Sequence, residues 1–268
     1  MKVSIVITTY NRKEELAELI ETISLQTYLP FEIIIVNDGG ERVESLASYY
    51  HDLPINIIHL DENVKHVNAR NIGVRQATGD FIMLSDDDDF FTPGHIERMV
   101  KAIADADLVY SDVEIVTFRE KGKQRIPKTR RLFAYHYDLA AMRRFSTYVP
   151  SGSLYRRSLH EKIGYFDPDV HNYWDWDFFL RAAEESRVKR VPVASVIYAF
   201  AEDGQNQSAQ LSGKRENYLK VLCDKHQLGE LPQENFFTLL ELPELKQREA
   251  ESEIVWDGLP VSSRLMNP

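Results

Sequence analysis

Hydrophobic residues along the chain fall into short β-branched runs separated by longer stretches in which apolar positions recur three or four apart. Val3 to Thr9 is a run of the first kind, dense enough for a strand buried on both faces. Lys13 to Gln26 is of the second kind, with Leu16, Leu19, Ile20 and Ile23 on one side of an amphipathic helix. Glu32 to Val36 reads as the next strand, and Asn37-Asp38-Gly39-Gly40 breaks the pattern. A helix near Val43 to Tyr50, a strand at Ile55 to Leu60, a helix at Val67 to Ala77 and a strand at Phe81 to Leu84 continue it. Pro93-Gly94 opens a helix to about Ala104, and Leu108 to Phe118 is strand-like. Such alternation predicts βαβ units around a mostly parallel central sheet flanked by helices.

Arg119 to Arg131 interrupts the order. It holds seven basic residues with Gly122 and Pro127 and no apolar period, which predicts a mobile surface loop. Tyr148 to Arg156 is then extended, Trp174 to Glu185 has helical spacing, and Val191 to Phe200 returns as a strand. From Leu211 onward the pattern is helical and polar, broken at Leu231-Pro232 and Leu242-Pro243. The expected organisation is an α/β catalytic domain over residues 1–210 and a helical C-terminal extension over 211–268.

Hydrophobic residues at 43% and charged residues at 28% fit a folded protein with a sizeable core rather than a disordered one. A net charge of -10 argues against nucleic acid as a partner of the whole surface. The single cysteine, Cys223, excludes an internal disulfide framework and a cysteine-based zinc cluster. The apolar run in MKVSIVITTYNR is too short for a signal-peptide core or a membrane span, so a cytoplasmic location is expected, with peripheral contact at the inner membrane face left open.

Ligands of open α/β sheets bind beyond the carboxyl ends of the strands. Thr8 to Arg12, Asn37-Asp38 and Ser85 to Asp89 follow three predicted strands, so one sheet edge is expected to present all three. Asp86 to Asp89 are four consecutive aspartates, whose mutual repulsion a divalent cation would offset. Carboxylate oxygens suit magnesium or manganese bridged to a diphosphate, which points to phosphate chemistry. An EF-hand lacks support, since its glycine and terminal glutamate are missing at the required spacing. Asp38 is either a hydrogen-bond acceptor for a nucleoside or a turn residue, and Tyr10 either a stacking platform or packing.

Five segments in order carry a resemblance: VSIVITTYNR, EIIIVNDGG, NARNIG, GDFIMLSDDDD and YWDWDFFLR. Over about residues 2 to 200 the chain resembles family 2 glycosyltransferases of the GT-A fold, inverting enzymes that use nucleotide-sugar donors. The resemblance implies that Thr9 and Tyr10 border the nucleobase, that Asp38 binds it and that Arg70 lies nearby. It implies Asp88 as the metal ligand of a DXD motif, Asp86 as a contact to ribose or a metal-bound water, and Asp175 as the general base. Mn2+ or Mg2+ is the implied cofactor. The implied donor is UDP-linked, with dTDP next, and the acceptor a saccharide or lipid-linked saccharide of cell-surface polysaccharide or glycoconjugate synthesis. Trp174 stands where the family usually has glutamate, and the segment after Phe200 lacks a histidine that some members give to the metal.

Around Asp175, Trp174 and Trp176 serve either in acceptor stacking or in the core, and Asp177 is expected to cap the helix or pair with Arg181 four residues on. A carboxylate among aromatics is expected to have a raised pKa, which suits a base. Ser151-Gly152-Ser153 is expected either to line the donor sugar through Ser153 or to be a bulge or close contact at the glycine, and the basic segment 119–131 either to be a solvated mobile loop or to lie over the acceptor entrance and help hold a phosphate-bearing or lipid-linked acceptor. Two rivals stand beside this reading: a sugar nucleotidyltransferase, for which TTYNR lacks the glycine-rich phosphate loop, and a noncatalytic nucleotide-sugar sensor.

Overall fold

A computed structural model describes residues 1–29, 31–122, 124–201, 213–232 and 236–266. The boundary expected at 210/211 and the stretch just after Ala201 lie outside the described residues. The chain runs β1 (Val3–Thr9), α1 (Lys13–Ser24), β2 (Phe31–Asn37), α2 (Ser45–Tyr49), β3 (Ile55–His59), α3 (His66–Gln76) and β4 (Phe81–Asp86). There follow β5 (Phe90–Phe91), α4 (His95–Ala102), β6 (Leu108–Lys121), β7 (Gln124–Phe133), α5 (Leu139–Met142), β8 (Leu154–Arg156) and α6 (Leu159–Ile163). A 3-10 segment at Pro168–Tyr173 leads into α7 (Trp174–Glu185), then β9 (Val188–Ala201), α8 (Gly213–His226), α9 (Phe236–Leu240), α10 (Pro243–Lys246) and β10 (Glu253–Ile254).

One mixed sheet has the order β10-β9-β6-β8-β4-β1-β2-β3. β1 to β4 pair in parallel, β8 runs antiparallel between β4 and β6, and β9 returns parallel to β6. The period-2 alternation of strand side chains sends Val3, Ile5 and Ile7 to one face, where Leu16, Leu19, Ile20 and Ile23 of α1 cover them. Val6, Ile34, Val36, Ile82 and Leu84 go to the other face, under Val67, Ala69 and Val74 of α3 and the aromatic residues of α7. Burial of both faces explains why these strands read as unbroken apolar runs. Gly73 lets α3 approach the sheet closely, since a Cβ there would lie 2.6 Å from Val6 Cγ1.

Arg119 to Arg131 is not a loop. Its residues form the ends of β6 and β7, an antiparallel hairpin turned near Gly122 (φ +66°), with a register irregularity between Thr117 and Phe118. Pro127 is tolerated because β7 pairs on one side only. The basic residues take distant acidic partners: Arg125 Nε lies 2.6 Å from Glu18 and Arg130 Nε 2.8 Å from Glu114, and both carboxylates are buried. Local periodicity carries no sign of such partners. The segment after α8 is likewise more than helical, because β10 adds to β9, while Leu240 and Leu245 enter one core and Leu219 and Leu222 the other.

Candidate active site

The carboxyl ends of β1, β2 and β4 open into a cleft of about 530 Å3. Thr9, Tyr10, Asp38, Arg70, Asp86, Asp88, Trp174 and Asp175 all line it, so residues spread over more than 160 positions of the chain meet in one place. Asp38 is buried and fixed from two sides: its N–H donates to Thr9 O at 2.9 Å, and its Oδ1 accepts from Val64 N at 2.7 Å. Tyr10 projects from the end of β1 and is half exposed, leaving a ring face for a planar group.

The aspartates divide by direction. Asp86, Asp87 and Asp88 face the cleft, whereas Asp89 turns inward and accepts from Ala199 N at 3.0 Å, tying the turn to β9. Burial and the neighbouring Asp88 push Asp87 up to about 7. Burial also raises Asp88, against the pull of Arg12. Two arginines offset the concentrated charge. Arg12 Nη1 lies 2.6 Å from Asp88 and 3.3 Å from Asp87, and Arg70 Nη2 bonds Asp86. Arg70 is itself buried and stacks 4.2 Å over the Trp174 ring, which in turn packs edge-on against Phe166. Where the family usually has glutamate, this chain therefore has an aromatic plate under an arginine.

Asp175 is the second residue of α7, with its carboxylate on the cleft wall. Burial, helped by the nearby Asp86, raises it from the ordinary 3.8 to about 6, although helix amides and Arg70 oppose the shift. A carboxylate near 6 is ionised at neutral pH yet basic enough to take a hydroxyl proton. Asp177, two residues on, points away from the cleft and is fully buried. Burial alone would raise it, but His226 at 2.8 Å, Arg181 at 2.7 Å and Lys225 at 2.8 Å hold it well below the usual carboxylate range. This knot fastens α8 to α7, and Arg215 of α8 reaches back to Tyr173 at the cleft.

Ser153 is not brought to the cleft. It is fully buried behind the wall formed by Tyr148, Val149 and Pro150, donating to Pro150 O at 2.6 Å and bonded to the Tyr148 hydroxyl at 2.8 Å. Its neighbour Gly152 (φ +76°) is required, as a Cβ would lie 2.4 Å from Val196. Among the described residues none of 119–131 lines the cleft, although Arg125 donates to Asp88 O at 3.0 Å beside it and Arg130 bonds Glu114. Trp176 packs in the core, donating its Nε1–H to Met142 O at 2.8 Å, and it also lines the cleft. The sequence pattern placed Arg12 at this edge within Thr8 to Arg12 but gave it no role of its own, whereas His66, Arg144, Tyr148 and Arg215 on the wall carried no local signal.

Similarity to known proteins agrees with this geometry. The family model described as Glycosyl transferase family 2 matches residues 4–164. The Bacillus subtilis protein named "Uncharacterized glycosyltransferase YwdF" is 64% identical over 265 residues, covering 99% of each chain. Staphylococcus aureus TarS 1–349 in complex with UDP-GlcNAc superposes with a TM-score of 0.65 at 19% identity, over 92% of this chain and 72% of that one. The mannosyltransferase PcManGT from Pyrobaculum calidifontis, in complex with GDP-Man and Mn2+, gives 0.59 at 19% identity over 86% and 65%. With the sequence match across most of the α/β unit and the fold shared with these enzymes, the chain belongs to glycosyl transferase family 2 and has the GT-A fold.

Proposed function

We propose that the chain transfers a sugar from a nucleoside-diphosphate sugar to an acceptor hydroxyl with inversion at the anomeric carbon. The observation that carries this reading is the placement of Asp175, a partly buried carboxylate raised to about 6, on the same cleft as Asp38 and the Asp86–Asp88 turn. Asp38, Thr9 and Tyr10 would hold the nucleoside, with UDP favoured because TarS binds UDP-GlcNAc on the same fold, and dTDP next. Arg12 and Arg70 supply positive charge beside the diphosphate position.

The residues fit a divalent cation. Asp86 and Asp88 present two carboxylates, and among the described residues no third ligating side chain joins them, so diphosphate oxygens and water would complete the shell, as Mg2+ and Mn2+ prefer. PcManGT holds Mn2+ on this fold. A cation bound there stabilises charge on the leaving diphosphate. Asp175 accepts the acceptor proton as the acceptor oxygen bonds to the anomeric carbon, and the electron pair of the breaking bond leaves with the diphosphate. The cleft holds both partners in line. A sensor would have no use for such a base, and the end of β1 offers no glycine-rich loop to a nucleotidyltransferase. Among the described residues no helix is long and apolar enough to cross a membrane, and contact with an inner membrane face remains part of the proposal.

Release of UDP from a panel of UDP-sugars tests the reading, with Mn2+ against EDTA and with Asp88→Ala alongside. Mn2+-dependent release that Asp88→Ala abolishes is expected. Equal UDP affinity with EDTA and with Mn2+, unaffected by Asp88→Ala, would remove the metal from the scheme.

A further inference from the structure

The basic hairpin bears on the cleft from behind its wall. Over β6, β7 and β9 the apolar side of the cleft is formed by Ile115, Phe133 and Tyr198, outside the basic stretch. Farther along the hairpin Thr117 pairs with Thr129 but Phe118 with Pro127, so β7 carries one extra residue, Lys128, and its side chains exchange faces beyond it. Arg125, paired with Glu120, therefore shares a face with Phe118, and this face packs against the acidic turn. The Arg125 guanidinium lies 5.2 Å from the Phe118 ring and 4.9 Å from the ring of Phe90, the residue directly after the four aspartates. It donates from Nη1 to Asp88 O at 3.0 Å and from Nε to Glu18 of α1 at 2.6 Å. Glu18 is itself 2% exposed, so the brace behind Arg125 is a buried one.

We propose that Arg125 is a positioning residue for the cation site, holding the backbone at Asp88 so that its carboxylate stands ready beside that of Asp86. This rests on the metal reading above. Asp87 to Asp89 lie between β4 and β5, where no ladder of strand bonds fixes them, and the bond within the turn, Asp89 N to Asp86 O, is long at 3.4 Å. A cation that finds only two protein carboxylates depends on their being aimed before it arrives. Arg125 supplies that aim with a charge-assisted bond from a rigid planar fork, itself fixed by Glu18 and two aromatic rings. The two arginines at Asp88 differ in consequence. Arg12 meets the carboxylate and competes with a cation for it, whereas Arg125 meets the carbonyl, so Arg125 and a cation can hold Asp88 together.

Calorimetry on the full chain decides it, measuring Mn2+ in the presence of UDP and UDP in EDTA, with urea unfolding to check each variant. In the double variant Glu18→Gln, Arg125→Met the buried pair is removed as a unit and no charge is left unpaired. This protein should fold, bind UDP in EDTA as the parent does, and bind Mn2+ about 10-fold more weakly, with transfer recovering as Mn2+ is raised. Arg125→Lys keeps a cation for Glu18 but has no planar fork to hold the Asp88 carbonyl as well, so its Mn2+ affinity should also fall several-fold. Parental Mn2+ affinity in either folded variant would overturn the proposal. So would a loss of UDP affinity in EDTA as large as the loss for Mn2+, which marks a general disturbance of the cleft. Equal UDP affinity with EDTA and with Mn2+ in the unaltered chain would instead strike the metal reading, and this proposal with it.

Discussion

Replacing Asp175 with asparagine removes a proton acceptor while keeping nearly the same shape, so two separate quantities should move in opposite directions. The first is turnover. Without the base, transfer should fall about 100-fold or more, while affinity for UDP stays within a few-fold, because Asp38, Tyr10 and the Asp86–Asp88 turn are untouched. In the unaltered enzyme the rate should drop about tenfold per pH unit below 6, where Asp175 takes up a proton. The second quantity is stability. Burial lifts the folded-state pKa from 3.8 to about 6, so the ionised group is a burden that is full above about pH 6 and gone below about 3.8. The whole difference corresponds to about 3 kcal/mol, and partial solvent contact reduces it, so Asp175→Asn should gain about 1 to 3 kcal/mol at pH 7.5. Thermal unfolding at pH 7.5 and pH 4 reads this directly, with Tm of the variant above that of the parent at the higher pH and the gap closing at the lower. Near-full transfer by the variant, or UDP binding lost as badly as in Asp88→Ala, would refute the assignment of Asp175 as base. An unchanged Tm at pH 7.5 would show that its carboxylate is not the strained group inferred here.

Arg12→Met should raise Mn2+ affinity several-fold in the absence of any nucleotide, since Arg12 occupies Asp88 at 2.6 Å as a competing cation; weaker or equal Mn2+ binding by calorimetry would show that Arg12 and a metal do not share that carboxylate. Asp177→Asn should cost about 3 to 5 kcal/mol in urea unfolding at neutral pH, because His226, Lys225 and Arg181 would lose a buried partner. The sign follows from its lowered pKa: this stabilisation is present above the ordinary carboxylate range and is lost only in strong acid, so a cost that disappeared between pH 7 and pH 5 would contradict it.

Much of this molecule was legible along the chain because the controlling physics is local. β1, β2 and β4 are apolar runs since helices cover both faces, and α1 shows a helical stripe since only one side meets the sheet. Polar residues directly after those runs had to lie at the carboxyl ends, which is why Thr9, Asp38 and Asp86 could be named together. Tertiary structure alone decided what the charges do. Arg12 meets Asp88 across 76 residues and Arg125 meets Glu18 across 107, and the stretch expected as a loop pairs as the hairpin of β6 and β7. Ser153 looked like a cleft residue from its neighbours, yet a left-handed Gly152 and the Tyr148 hydroxyl turn it inward. The apolar side of the cleft is assembled from β6, β7, β9 and the helices after residue 212, none of which shows it alone. Periodicity reports which face of an element is buried; it cannot report which distant element covers that face, nor where the cover leaves a cavity.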